Sequence, residues 1–320
     1  MRALVWLGVL LVALGAASIA RAQDYPVKPV RVVVPNPPGG PVDVVARLVA
    51  PKLGERLGQT MVIENRAGAD GVIGSDIVAK AAPDGYTLLL ASSSHAMHPA
   101  VYASMPFDTE AAFVPIALLV RAPLIMVVHP SVPAQTAAEF IAYAKTRPGK
   151  LDYGSAGNGG AVHLTTELFK VQTGLDVVHV AYKGGGPLVN DLAAGQIQLA
   201  IMPILAPLPL VRDGRLRGLA ITGAHRIATA PDIPTLSETL PGFESATWYG
   251  LLAPAGTPPA IVARINAELQ RVLPDPEMVQ RVAAFGGEVA GGTSAEFHTL
   301  IHAEMIKWAD VAKRANIRVD

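Results

Sequence analysis

Twice in this chain of 320 residues a hydrophobic run leads into a glycine-rich turn that opens a helix: Val32-Val33-Val34-Pro35-Asn36-Pro37-Pro38-Gly39-Gly40 and Leu151-Asp152-Tyr153-Gly154-Ser155-Ala156-Gly157-Asn158-Gly159-Gly160. The residues downstream of each turn repeat as well. An amphipathic stretch ends in glycine (Arg56-Leu57-Gly58; Gln172-Thr173-Gly174) and a β-branched strand comes next (Met61-Val62-Ile63; Val177-Val178-His179-Val180). Then come a glycine turn (Ala67-Gly68-Ala69-Asp70-Gly71; Lys183-Gly184-Gly185-Gly186), another helix and another strand (Tyr86 to Leu90; Gln198 to Met202). This alternation predicts two similar α/β lobes.

Helix N-termini carry unpaired N–H groups and about half a positive charge, so a ligand held between two such turns meets donors from both sides. A single glycine after a strand needs no more than a tight βα turn to explain it. The matched pair predicts a clamp for a small anion.

The length exceeds that of a typical single α/β domain, and 51% apolar with 16% charged residues is enough for two buried cores. The run from Arg121 to Pro130 reads as a strand entering a second lobe, and Thr247 to Pro254 as the strand coming back. The tail reads as three helices: Pro258-Pro259 through Val272, one from Pro276, and one from Ser294 with Phe297, Ile301 and Met305 at helical spacing. These helices are expected to pack on the first lobe, making it discontinuous. The expected division is 23–123 with 247–320 as lobe 1 and 124–246 as lobe 2. Two strands crossing at one place form a hinge, which suits closure over a ligand.

The first residues have the form of a secretory leader: Arg2, an apolar run from Ala3 to Ala17, and Ala20-Arg21-Ala22 as a small-x-small cleavage site. The spacing predicts a signal peptide over residues 1–22, cleavage after Ala22 and a periplasmic mature protein beginning at Gln23. No later stretch is apolar for the roughly 18 residues a spanning helix needs. The chain has no cysteine, which excludes disulfides, thiolate metal sites, lipoprotein acylation and a cysteine nucleophile. Basic and acidic residues balance at 26 each, and the leader removes Arg2 and Arg21 but no acid, so nothing steers nucleic acid or an anionic membrane to the surface.

Catalytic signatures are sparse. Tyr153-Gly154-Ser155-Ala156-Gly157 lacks the glycine two places before the serine that a nucleophile elbow needs. His95 and His98 stand three apart, but no carboxylate in the neighbouring loop completes a metal shell. No dinucleotide fingerprint follows the first strand, and no phosphate-binding P-loop occurs. The reading is a binding protein, not an enzyme, with no cofactor and no metal. The rival is a small-molecule hydrolase or isomerase using the same cleft with His95, His163 or Ser155.

Several segments carry a resemblance: Tyr25-Pro26-Val27-Lys28-Pro29-Val30-Arg31, Val62-Ile63-Glu64-Asn65-Arg66-Ala67-Gly68, Ala79 through Leu89, Pro148-Gly149-Lys150-Leu151, His179-Val180-Ala181-Tyr182-Lys183-Gly184, Pro231-Asp232-Ile233-Pro234-Thr235 and Ala253-Pro254-Ala255-Gly256-Thr257-Pro258. In this order they resemble the substrate-binding proteins of tripartite tricarboxylate transporters, also called Bug receptors. The resemblance implies an α/β, two-lobed periplasmic-binding-protein fold of the type II, Venus flytrap sort with two crossover strands. It further implies capture of a small organic solute, most often a carboxylate, by a monomer that serves membrane transporter subunits.

In such receptors the turns after the first strand of each lobe hold the ligand carboxylate. The resemblance places these contacts at Asn36, Pro38, Gly39, Gly40, Val42 and Asp43 and at Ser155, Ala156, Asn158, Gly160 and Ala161, with Ser92, Ser94, His95, Tyr182 and Lys183 lining the same cleft; His163, two residues beyond Ala161, either reaches the ligand or caps or packs inside its own helix. Where the family reads P-P-G-G-G-T-D, this chain has Pro37-Pro38-Gly39-Gly40-Pro41-Val42-Asp43, losing an amide and a hydroxyl. Gly160-Ala161 likewise stands where a hydroxyl residue is common. Both departures predict a ligand with less charge or a larger apolar body. Asp43 is read as a helix-dipole partner that orders its loop, and Trp248 and Tyr249 as hinge packing.

Overall fold

The computed structural model describes residues 25–319, so the expected signal peptide over 1–22 lies outside the described residues. Strand β1 (Val30–Val34) is an almost wholly buried valine-rich run of the kind found in parallel sheets covered on both faces. It leads through the first glycine turn into α1 (Pro41–Leu57), which starts with Pro41 at its first position and stops at Gly58, in the left-handed region at φ 73°. Then come β2 (Met61–Asn65), α2 (Val72–Ala79), β3 (Thr87–Ser92) and α3 (Ser94–Val101). The second half repeats the scheme. After β4 (Phe113–Val128) and α4 (Ala137–Lys145), β5 (Asp152–Ser155) leads into α5 (Ala161–Thr173), which stops at Gly174 at φ 68°. It continues with β6 (Val178–Ala181), α6 (Gly185–Ala193), β7 (Leu199–Pro203), α7 (Leu208–Arg212) and β8 (Arg217–Ile221). The chain returns along β9 (Ala246–Pro254) and closes with α8 (Pro259–Val272), α9 (Pro276–Ala284), β10 (Glu288–Val289) and α10 (Ser294–Arg314).

The strand order is β2-β1-β3-β9-β4-β7-β5-β6, with β8 and β10 also paired to β4. Strand β4 joins the two lobes. Its residues Phe113–Pro123 pair with β9, and its residues Leu124–Val128 pair with β7 on one side and, from Ile125, β8 on the other. It is longer than expected, starting eight residues before Arg121, because Phe113–Val120 is a nearly continuous buried apolar run.

Each half has apolar layers on both faces of its sheet. Ile261, Ile265 and Leu269 of α8 and Met278 and Val282 of α9 enter the layer of Val45, Val49 and Leu53 from α1. The last helix does something else. Phe297 and Ile301 pack with Val33, Leu89 and Trp248, but Trp308, Val311 and Ala312 pack with Phe140, Phe169 and Leu168 of the second half. The expectation that all three C-terminal helices stay on the first lobe is therefore corrected for α10. At 21 residues it spans about 30 Å, long enough to reach both cores. Its start is fixed by a reciprocal cap between Thr293 and Glu296. Trp248 is buried edge-on against Phe297, with centroids 5.3 Å apart.

Candidate ligand-binding site

Strand polarity locates the site. Strand β9 runs antiparallel to both β3 and β4, so β3 and its parallel companions β1 and β2 run with β4, toward the second lobe. Strand β7 runs antiparallel to β4, and β5 and β6 run with β7, toward the first lobe. The C-terminal ends of the two parallel sets therefore point at each other. Ser92, ending β3, aligns through Tyr249 with Val120, while Pro203, ending β7, aligns with Leu124. Both sets stop at the same short stretch of β4, and the crevice outside strand carboxyl ends is where open α/β sheets bind ligands.

The two glycine turns lie on these facing edges, each opening a helix. Gly40 precedes α1 and Gly160 precedes α5, both with extended backbone and neither with a side-chain cap. Their first-turn amides are left for solvent or a ligand. In the first turn Pro38 and Gly39 are exposed and Asn36 and Gly40 half-buried; in the second Ala156 and Asn158 are exposed and Gly160 and Ala161 half-buried. Ser92 and Ser94 sit half-buried at the end of β3 and the start of α3. Lys183 is exposed after β6. Beside it Tyr182 donates its hydroxyl to Asp191 at 2.9 Å; burial and then this carboxylate push its pKa up to about 12.

Five expected ligand contacts have other employment. Asp43 Oδ2 accepts from the Gly39 amide and from Arg47 Nε, both at 2.8 Å, and Oδ1 accepts from Asn65 Nδ2 at 3.0 Å. Asn65 also donates to the Asn36 carbonyl. Arg47, helped by Gly39 and Asn65, holds the Asp43 carboxyl down at about 2 against the opposing effect of burial. Asp43 thus ties α1, β2 and the turn together. The Val42 side chain is buried in the first core, because the second helical position points back at the sheet, so only its backbone amide faces the edge. A hydroxyl at this position would enter the core, which removes the side-chain half of the expected departure and leaves the amide missing at Pro41.

His95 is the third. It lies on α3, not in a loop, with its ring buried against Phe113 (4.9 Å, edge-on) and Phe107 (6.2 Å, stacked). Burial, and then the neighbouring His98, push its pKa down to about 3. It is a neutral core ring. Ser155 is the fourth: its hydroxyl is fully buried, donating to the Gly157 carbonyl at 2.8 Å and lying 2.6 Å from His179 Nε2. His163, also buried, accepts the Gly159 amide on Nδ1 at 3.0 Å.

A cavity of about 650 Å³ opens elsewhere, between residues 227–229 and 270–291, and none of the expected site residues lines it. Among the described residues no group of three His, Cys, Asp or Glu side chains is arranged to hold a metal ion, and no helix is long and apolar enough to cross a membrane.

Residues 45–317 match the model of the tripartite tricarboxylate transporter family receptor. The chain belongs to this receptor family. BugT of Bordetella pertussis is 36% identical, with 99% of this chain and 98% of the relative covered. Among solved structures, R. palustris Rpa4515 with adipate is 38% identical with a TM-score of 0.79, covering 92% of this chain and 99% of that one. MatC from Rhodopseudomonas palustris with bound malate is 33% identical with a TM-score of 0.75, covering 90% and 99%. The two-lobed binding-protein architecture is thus shared by this receptor and its solved relatives.

Two features of the candidate site escaped the sequence. His179 reads as an ordinary residue of β6, yet parallel pairing sets it beside Tyr153 and its ring reaches Ser155. The edge after β7 carries exposed Leu205, the counterpart of the β3 edge. The internal repeat that pairs β3 with β7 is the signal that points to it.

Proposed function

We propose that this receptor is exported with removal of residues 1–22 and captures a small organic carboxylate between the Asn36–Asp43 and Ser155–Ala161 turns, for delivery to membrane subunits of a tripartite tricarboxylate-type transporter. The observation that carries this reading is the convergence of two uncapped helix N-termini, α1 and α5, on facing strand edges. Each end offers amide donors and positive dipole to one carboxylate. The lobes 23–123 with 247–320 and 124–246 close about β4 and β9. Relatives solved with adipate and malate support a carboxylate ligand.

The lining favours an apolar body between the charges. Pro38 and Pro41 are exposed on one edge and Leu205 on the other, and Pro41 withholds an amide. Calorimetry on mature protein, whose sequenced N-terminus is expected at Gln23, across malate, adipate, an aromatic acid and a neutral amide should rank adipate or the aromatic acid at least tenfold above malate. Pro41→Gly returns one N–H to a charged oxygen, worth about 1.5 kcal/mol or more, and should narrow that gap by roughly tenfold, less what the looser loop subtracts. Binding of the amide as tightly as of any acid would overturn the anion reading.

The Ser155–His179 contact gives the rival hydrolase reading its one specific observation. The Gly157 carbonyl only accepts, so the Ser155 proton is directed there and His179 donates to Ser155 Oγ, opposite to a base activating a nucleophile. Turnover of a bound candidate, followed by mass spectrometry, separates the readings, since a receptor returns its ligand unchanged.

A further inference from the structure

The second glycine turn is held by a stack of rings. His163 and His179 lie face to face with centroids 3.9 Å apart and planes 12° from parallel, and Tyr153 stacks near His179 at 4.8 Å and 19°. Each imidazole reaches a different part of the turn. His179 Nε2 meets Ser155 Oγ at 2.6 Å, and that hydroxyl bonds the Gly157 carbonyl at 2.8 Å and accepts the Gly157 amide at 3.3 Å. His163 Nδ1 accepts the Gly159 amide at 3.0 Å. The turn needs such support. Gly157 at φ 144° and Gly159 at φ 75° lie where side chains are strained, and glycine gains most freedom when released.

We propose that the His163–His179 stack is the brace that fixes the Ser155–Gly160 turn in its anion-binding shape, with both rings acting as positioning residues and both neutral with the proton on Nε2. The proposal rests on the turn being the ligand site. The tautomers follow from the contacts: His163 accepts on Nδ1, so its proton sits on Nε2, and His179 donates from Nε2 because Ser155 directs its own proton to Gly157. A charged ring would break this pattern, since an imidazolium at His163 has no lone pair for Gly159 and two stacked imidazolium rings repel. The surroundings oppose charging. Burial first, then His179 and Lys170, push His163 down to about 3, and burial pushes His179 down as well. The charged groups facing the stack are Glu167 and Lys170 on α5, paired with each other at 2.7 Å, and Glu167 also accepts the Tyr153 hydroxyl at 2.5 Å. The Glu167 carboxylate is therefore already committed to a cation and a phenol.

Three measurements on the full mature chain test this. In ¹⁵N imidazole spectra of the wild type at pH 7, both rings should show Nε2–H. The variants His163→Phe and His179→Phe keep an aromatic ring in the stack but remove the polar contact. Each should stay folded, speed amide exchange at Gly159 or Gly157 respectively by at least tenfold, and weaken adipate binding by about tenfold. Wild-type protonation on Nδ1 of His163, or unchanged glycine exchange in both folded variants, would overturn the brace; if a variant fails to fold, the wild-type tautomers alone decide. Should even the wild type ignore adipate while tautomers and exchange behave as stated, the brace stands and the choice of ligand falls.

Discussion

Acidification from pH 7 to 4.5 will lower the thermal midpoint of this receptor by about 10–20 °C. His95 and His163 are both buried and held neutral, each with its pKa pushed down to about 3 from an ordinary value near 6.5. The unfolded chain takes up protons at these rings below pH 6.5 and the folded one does not until about 3, so stability is complete above 6.5 and drains through that window. Each ring contributes about 1.4 kcal/mol per pH unit, giving roughly 5 kcal/mol for the pair by pH 4.5. That is comparable with the whole stability of many domains. Asp43 acts in a lower window: with its carboxyl held at about 2, its contribution is intact at pH 4.5 and is lost below about 3.8. Calorimetric scans at the two pH values check this, and a His95→Phe variant, which keeps the ring contacts with Phe107 and Phe113, should remove about half of the difference. Midpoints within 3 °C of one another would contradict it.

Trp308→Ala will destabilise the protein by about 3–5 kcal/mol, through the buried surface and the cavity left behind. The indole is fully buried among Phe140, Phe169 and Val311 and donates Nε1–H to Glu304 Oε2 at 2.6 Å. Its removal leaves a largely buried carboxylate with Lys307 as its remaining partner. Because the other end of α10 is anchored by Phe297 and Ile301 in the first lobe, the loss unfastens a helix that packs into both cores. Urea denaturation measures the change, and a loss under 1 kcal/mol would show that α10 does not bind the two halves together.

The lobes and the helix starts were legible because each rests on local chemistry: valine runs for β1, proline at the first position of α1, α8 and α9, and glycine in the left-handed region after α1 and α5. Side-chain direction was not. Val42 and His95 stand at positions where one residue of helical phase decides between core and cleft, and that phase depends on where the helix begins. Ser155 and His179 are separated by a helix and meet only through the parallel register of β5 and β6. The double allegiance of α10 escaped for a related reason: Trp308 and Val311 continue the apolar stripe of Phe297 and Ile301, and a stripe does not say that its two ends face different cores.

We propose that one ligand carboxylate is gripped from both lobes at once. Amide chemical-shift titration of the mature protein with adipate tests it most directly. The amides of Gly39, Gly40 and Val42 in the first turn and of Gly157, Gly160 and Ala161 in the second are expected to shift together along one saturation curve. Shifts confined to a single turn, or two turns saturating with different dissociation constants, would contradict it.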